Sequence, residues 1–452
     1  MIVHWQRALG VALRCGALAL ILAALAPQPA AATTKIERFI TPAGIEVWLV
    51  RDPAVPLIAL NFAFRGGSAQ DPVEKAGTAN MMASLLDEGA GDLDATAFHE
   101  RIERKAIELS LTTGRETIRG TLRTLKENQD EAFDLLRLAL NAPRFDASAV
   151  ERIRAQIISR LQRQSTNPNE IASRTWWGTA FPGHPYGRPM NGTVESVASI
   201  TADDMRSYLK RVLTRDTLKI GIVGDIDAAT AGRLVDRAFA TLPAQSTLAP
   251  LAEALRNVTP QGIGRLILVD LDVPQAVVTF GGLGIKRSDP DFMSAYLMSH
   301  VLGGGSFTSR LYREIREKRG LAYGVSSNLI WLDHSAVTLG GTATRSDATK
   351  ETIELIEAEF ARMAKEGPTQ EELDKAKTYL KGSFALGLDT STKIANQLVS
   401  MQLDNLGIDY IERRSALIDA VTLADTKRVA KRLLGDGLLV AVVGKPQGVT
   451  PR

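Results

Sequence analysis

The chain has 452 residues, about three times a typical domain, so more than one core is expected. Hydrophobic residues make up 45% and charged residues 23%, the composition of a globular protein and not of a disordered or multi-span membrane chain. Lys and Arg number 54 against 51 Asp and Glu, which excludes the strong basic field of a nucleic-acid binder, and one cysteine with five histidines excludes a disulfide framework or a cysteine-rich metal site.

Residues 1–32 read as a secretory signal. Arg7 and Arg14 supply a positive start, Gly16 to Ala26 is an unbroken apolar or small run, and Ala30, Ala31 and Ala32 offer small residues for cleavage before Thr33. The run is too short to cross roughly 30 Å of hydrocarbon as a helix. Cys15 would leave with it. No later stretch is hydrophobic enough to span a membrane. The expectation is an exported, nearly neutral, cysteine-free chain, periplasmic if the source is a Gram-negative bacterium.

The next elements come in a pattern that repeats. Ile45 to Val50 and Leu57 to Phe64 read as strands separated by Asp52-Pro53, followed by helical patterns over Lys75–Glu88, Thr96–Glu108 and Ser148–Arg163. A helix opened by Thr201 and Asp204 then leads into the strand Leu218 to Val223 and Gly224. After Pro243, Pro250 and Pro260 the order recurs, with strands Leu266 to Asp270 and Ala276 to Phe280 and a helix over Asp289–Leu302. Near the end, Thr422 and Asp425 open another helix before the strand Leu438 to Val443 and Gly444. Both helix starts have the spacing of a capping box. The offset of about 220 residues suits a duplicated domain, not a solenoid. The predicted fold class is α+β: domains at 33–242 and 265–452, joined by a linker at 243–264, each a mainly antiparallel sheet covered mainly on one face by helices.

The densest motif lies in the second half. Gly303, Gly304 and Gly305 precede a charged helix from about Ser309 to Lys318, Gly320 suits a left-handed C-terminal cap, and a strand follows. The loop lacks the endings of a P-loop or dinucleotide fingerprint. The run Ser309-Arg310-Leu311-Tyr312, Ile315-Arg316-Glu317 and Gly320-Leu321-Ala322-Tyr323 resembles the second-domain signature of the pitrilysin/insulinase-type zinc peptidases, a family that includes the mitochondrial processing peptidase. His184-Pro185-Tyr186-Gly187-Arg188-Pro189 and Gly66-Gly67-Ser68 with Gly77-Thr78-Ala79 resemble its first-domain phrases. The resemblance implies two homologous αβ sandwich domains in tandem, forming one half of a clam-shell. It also implies that Arg316 and Tyr323 hold substrate peptide, Arg through a planar set of donors and Tyr through a hydroxyl on a rigid ring. The loop Gly303–Gly305 lines the chamber in that reading, although a tight connection would explain the glycines equally well.

The same resemblance exposes a loss. The family's zinc centre is an H-x-x-E-H on the first helix after the Gly-Thr-Ala phrase, two histidines facing one metal and a glutamate activating water. Those positions here are Asn80, Ala83 and Ser84, and none can do its assigned work. The later helix offers only Glu151. His99 and Glu103 are spaced i, i+4 but read as a solvated charged face, His300 as a core histidine, His334 as part of a hairpin turn and His184 as a capping or packing residue. No nucleophile-elbow motif is present. No metal or cofactor is therefore expected in this chain, with zinc instead in a partner. The predicted function is the non-catalytic, substrate-positioning subunit of a heterodimeric exported zinc metallopeptidase, its partners a homologous zinc-bearing subunit and a peptide substrate, with no nucleic acid. The alternative is a zinc-free peptide-binding or assembly protein of the same fold with no role in proteolysis.

Overall fold

The computed structural model describes residues 35–249 and 255–452. The signal reading of residues 1–32 lies outside the described residues. Two sheets organise the rest. The first runs, in spatial order, Glu37–Ile40, Glu46–Arg51, Lys219–Gly224, Leu57–Arg65, Thr117–Leu125 and Glu108–Thr113. The second runs Leu266–Val269, Leu439–Val443, Gln275–Leu283, Ala336–Arg345 and Ala322–Trp331. Apart from the extra first strand, they correspond place for place. In each, the one parallel pair joins an early strand to the last (Leu49 beside Ile222, Leu268 beside Val442) and the other pairs are antiparallel. The expectation of two α+β sandwiches in tandem holds.

Coverage of the sheets differs from the one-faced expectation. Alternate residues of a strand point to opposite faces. On Leu57–Arg65, Ile58, Leu60, Phe62 and Phe64 pack with helices of their own half into one core. The opposite face, with Trp48, Val50 and Val223, is covered by Ala395, Leu398 and Met401 of helix Ser391–Leu403, which belongs to the second half of the sequence. Gln402 Nε2 donates to the Ile220 carbonyl at 2.8 Å, and Asn61 Nδ2 to that of Thr392 at 3.2 Å. The exchange is reciprocal. Helix Pro168–Ala180 crosses to the second sheet, where fully buried Trp176 packs near Val337, Leu439 and Ala441 and donates its indole N–H to the Leu439 carbonyl at 3.1 Å.

Glycine makes both crossings possible. A Cβ on Gly221 would lie 2.6 Å from the Ala395 carbonyl oxygen, and one on Gly281 would lie 2.7 Å from the Trp176 ring. Central strands buried on both faces read as continuous apolar runs. That is why Leu57–Arg65 and Leu439–Val443 carry no polar alternation, whereas the edge strand Glu108–Thr113 alternates exposed and half-buried residues.

Local structure confirms the caps and corrects several helices. Thr201 with Asp204 and Thr422 with Asp425 both form reciprocal capping boxes. The helix expected over Lys75–Glu88 is confined to Thr78–Ala83. Gly77 enters it with φ +97°, and the buried Asp71 carboxylate takes the N–H groups of Gly77 and Ala79 at 2.8 and 2.9 Å. Helix Ala95–Arg104 stops short of Glu108, which opens the edge strand. Two second-half helices widen before they end, Phe292–Ser299 into a π-turn over His300–Gly304 and Arg310–Tyr312 into one over Arg313–Glu317. Gly320 then adopts φ +63° and donates to the Arg316 carbonyl at 2.9 Å, the left-handed stop read from the sequence. Among the described residues of 243–264 there is no strand or α-helix, and no helix among the described residues is long and apolar enough to cross a membrane.

Candidate functional site

The first-half positions come together without metal chemistry. Ser84 Oγ donates back to the Asn80 carbonyl at 2.9 Å, occupying the hydroxyl within the helix end. Ala83 is buried and has no polar atom to offer. Across from them, helix Ala147–Gln164 presents Arg152, whose two guanidinium nitrogens grip the buried Glu88 carboxylate. Glu151 points elsewhere and pairs with Arg154. A neutral amide, a methyl and an engaged hydroxyl do not fit zinc, which takes thiolate, imidazole or carboxylate ligands. Among the described residues no group of three or more His, Cys, Asp or Glu could hold a metal ion.

Three histidines, His184, His300 and His334, are engaged in structural contacts. His184 accepts the Tyr186 N–H at 3.1 Å through Nδ1 and bonds the Leu255 carbonyl through Nε2. His300 is buried and stacks on Tyr379, with ring centroids 5.0 Å apart. His334 sits in the turn between the last two hairpin strands, where its N–H donates to the Tyr186 hydroxyl at 3.1 Å.

In the second half, Arg316 and Tyr323 meet directly. Arg316 Nη1 donates to the Tyr323 carbonyl at 2.6 Å, and its guanidinium lies 4.3 Å from the Tyr323 ring centre and 5.1 Å from that of Tyr312. Other charges of this helix are consumed internally. Arg310 pairs with Glu372, whose carboxyl is held down at about 2 against burial chiefly by that guanidinium, and Glu314 pairs with Lys318 and Arg319. Arg316 has no carboxylate within 4 Å among the described residues, and Tyr323 is 86% exposed. The pair stands at the start of the sheet's edge strand, where a register shift between Ala322 and Val325 leaves Tyr323 and Gly324 out of the ladder. A cation stacked on an exposed aromatic ring therefore stands at the start of the edge strand, with the Tyr323 and Gly324 carbonyls taken by Arg316 and the Thr342 hydroxyl.

The glycine loop answers to packing. A Cβ on Gly303 would sit 2.7 Å from the Ser327 backbone and side chain, one on Gly304 3.2 Å from Asn328 Oδ1, and one on Gly305 2.9 Å from the His300 carbonyl oxygen. The surface beyond them is made by Ser306, Phe307 and Thr308, all exposed.

Sequence reasoning missed a polar cluster where the halves meet. Glu116 takes the Asp333 N–H on both carboxylate oxygens at 2.9 Å and accepts the Tyr186 hydroxyl, while Arg65 pairs with Asp333. Burial first, then the Asp333 charge, raises the Glu116 carboxyl to about 7 against those hydrogen bonds. The only local signal was the phrase containing Tyr186, because Glu116 and Asp333 lie far apart in sequence.

Comparison with known proteins fits this geometry. Residues 46–194 match the description Insulinase (Peptidase family M16), and residues 199–380 match Peptidase M16 inactive domain. A protein of Helicobacter pylori named non-peptidase homolog YmxG is 30% identical over 76% of this chain and 78% of its own length. The chain belongs to the M16 peptidase family. A Streptomyces coelicolor protein named as an uncharacterized zinc protease is 26% identical over 90% of this chain and 89% of its own. The crystal structure of a peptidase M16 inactive domain from Pseudomonas fluorescens superposes with a TM-score of 0.85 at 27% identity, covering 92% of this chain and 99% of that one. The helix Thr78–Ala83 and its cap hold Asn80, Ala83 and Ser84 where the family resemblance puts a zinc motif, and the inactive-domain homologues support a non-catalytic M16-like protein.

Proposed function

We propose that this chain is the substrate-positioning subunit of an exported, heterodimeric zinc metallopeptidase whose zinc lies in a homologous partner. The observation that carries the reading is the Arg316–Tyr323 pair, a guanidinium with no carboxylate within 4 Å among the described residues, stacked on an exposed ring at the start of the edge strand. Extended peptide adding to that edge gains main-chain hydrogen bonds with little sequence preference, while Arg316 and Tyr323 set its register. Positioning alone contributes a large share of catalysis, on the order of several kcal/mol, without a nucleophile or base from this subunit. Export rests on the composition of residues 1–32, and if the source is a Gram-negative bacterium the pair works in the periplasm.

Reconstitution tests the proposal. The chain alone, and mixed with a zinc-bearing M16 subunit of the same organism, is assayed on an unstructured peptide. The expected result is cleavage only by the pair. Arg316→Ala should lower kcat/KM by about 10–100-fold, and Tyr323→Phe by less, with the complex still assembling on a sizing column. Cleavage by this chain alone with one equivalent of bound zinc would overturn the reading. Unchanged kinetics in both variants would instead favour an assembly protein of the same fold.

A further inference from the structure

A half-buried cation in the first half makes no ion pair within 4 Å among the described residues. Arg115 sits in the turn between the strands Glu108–Thr113 and Thr117–Leu125, its guanidinium 3.8 Å from the centre of the Trp177 ring. Trp177 is itself fixed, stacked on Phe181 with centroids 5.5 Å apart. The hydrogen-bond partners of Arg115 are neutral and weak: the Tyr186 carbonyl at 3.4 Å and the Met190 thioether at 2.9 Å. The adjacent Glu116 turns instead to Tyr186 and the Asp333 N–H. Burial accordingly lowers the Arg115 guanidinium to about 10.

A cavity of about 140 Å³ opens in front of this group, lined by Arg115, Trp177, Met190, Arg174, Arg188 and Glu170 among others. Arg188 spends its hydrogen bonds on the carbonyls of Asp71 and Ala69, again neutral acceptors. Arg174 is exposed and makes no hydrogen bond or ion pair among the described residues. Three guanidiniums therefore face a small space with one lining carboxylate, Glu170. The wall continues through Asn191 and Gly192, which pack on Gly77 and Ala76 at the entrance to the helix bearing Asn80 and Ser84.

We propose that this pocket binds a carboxylate of a peptide. Forked guanidiniums match a carboxylate in two parallel hydrogen bonds, and the indole under Arg115 holds one fork in plane. The space suits one carboxylate head and not a folded segment. The group is a chain-terminal carboxylate or a Glu or Asp side chain, two sources of one chemistry. The inference rests on the reading of this chain as a peptide holder, but its test needs neither a partner nor cleavage.

The test is fluorescence anisotropy on the purified chain with four unstructured decapeptides, carrying a free or amidated C-terminus and an internal Glu or Gln. The expected result is at least about 10-fold tighter binding of the peptide with both carboxylates than of the doubly neutral one. The two intermediate peptides show which carboxylate is responsible. Arg174→Gln, which removes no internal contact, should collapse that ratio towards one, as should Arg115→Gln. Arg115→Lys, which keeps charge but loses the fork, should fall between. Equal affinity for all four peptides, or a ratio unchanged in both Gln variants, overturns the pocket. The former result leaves the Arg316 reading standing. Failure of the reconstituted pair to cleave, with the ratio intact, overturns the proteolytic reading and keeps the pocket.

Discussion

The two halves share a strand order and a core plan, yet differ in what their helices carry. In the first half the positions that the family resemblance assigns to zinc carry Asn80, Ala83 and Ser84, and their neighbours Ala79, Met81 and Met82 are fully buried. In the second half Arg316, with no carboxylate within 4 Å among the described residues, stacks on an exposed Tyr323. Asn80 and Ser84 are half-buried, and Ala83 is a small residue within the packed side, so none of the three disturbs the core packing of this helix. A fold therefore survives the loss of its chemistry, and function must be read from the site.

Four perturbations break or sharpen that comparison. The largest concerns the exchanged helices. Trp176→Ala should cost about 3–5 kcal/mol, and its counterpart Leu398→Ala about 2–5 kcal/mol. Because each sheet is covered by a helix from the other half, both variants should melt in one calorimetric transition. Two separated transitions would show halves that fold independently. Next, Gly303→Ala forces a Cβ against Ser327 and should cost about 1–3 kcal/mol in urea titration. The same substitution at Gly264, which has nothing within 4 Å but φ +87°, probes backbone strain without a clash.

Smaller still, Thr201→Ala and Thr422→Ala each remove one of the duplicated caps, and about 1 kcal/mol should be lost at both. Unequal losses would mean the two boxes are not energetic equivalents. The gentlest probe is pH. Burial raises both Glu116 and Asp71 to about 7, so the folded chain holds these protons more tightly than the unfolded chain. Their contribution is full below the ordinary carboxylate range and is lost as pH rises towards about 7. Urea midpoints should fall between pH 5 and 7.5, and Glu116→Gln should flatten part of that decline.

Much of this was legible locally. The doubled Thr–Asp caps, the Gly320 stop, the paired strands and the vacant metal positions are all patterns within a few residues, because capping, turn geometry and strand alternation act at that range. The long helix read over Lys75–Glu88 was not, because Asp71 and Gly77 confine it from outside the apolar pattern.

The sequence by itself determined the duplication, the missing ligands and the spacing of Arg316 and Tyr323. Only the tertiary structure decided that these two side chains stack, that Trp176 and Leu398 cover each other's sheets, and that Arg115 is left among neutral partners beside a cavity. The reason is range. Trp176 meets a carbonyl 263 positions away, and Asp333 meets Glu116 across 217. No periodicity encodes such a contact, which exists only once two cores have formed and docked.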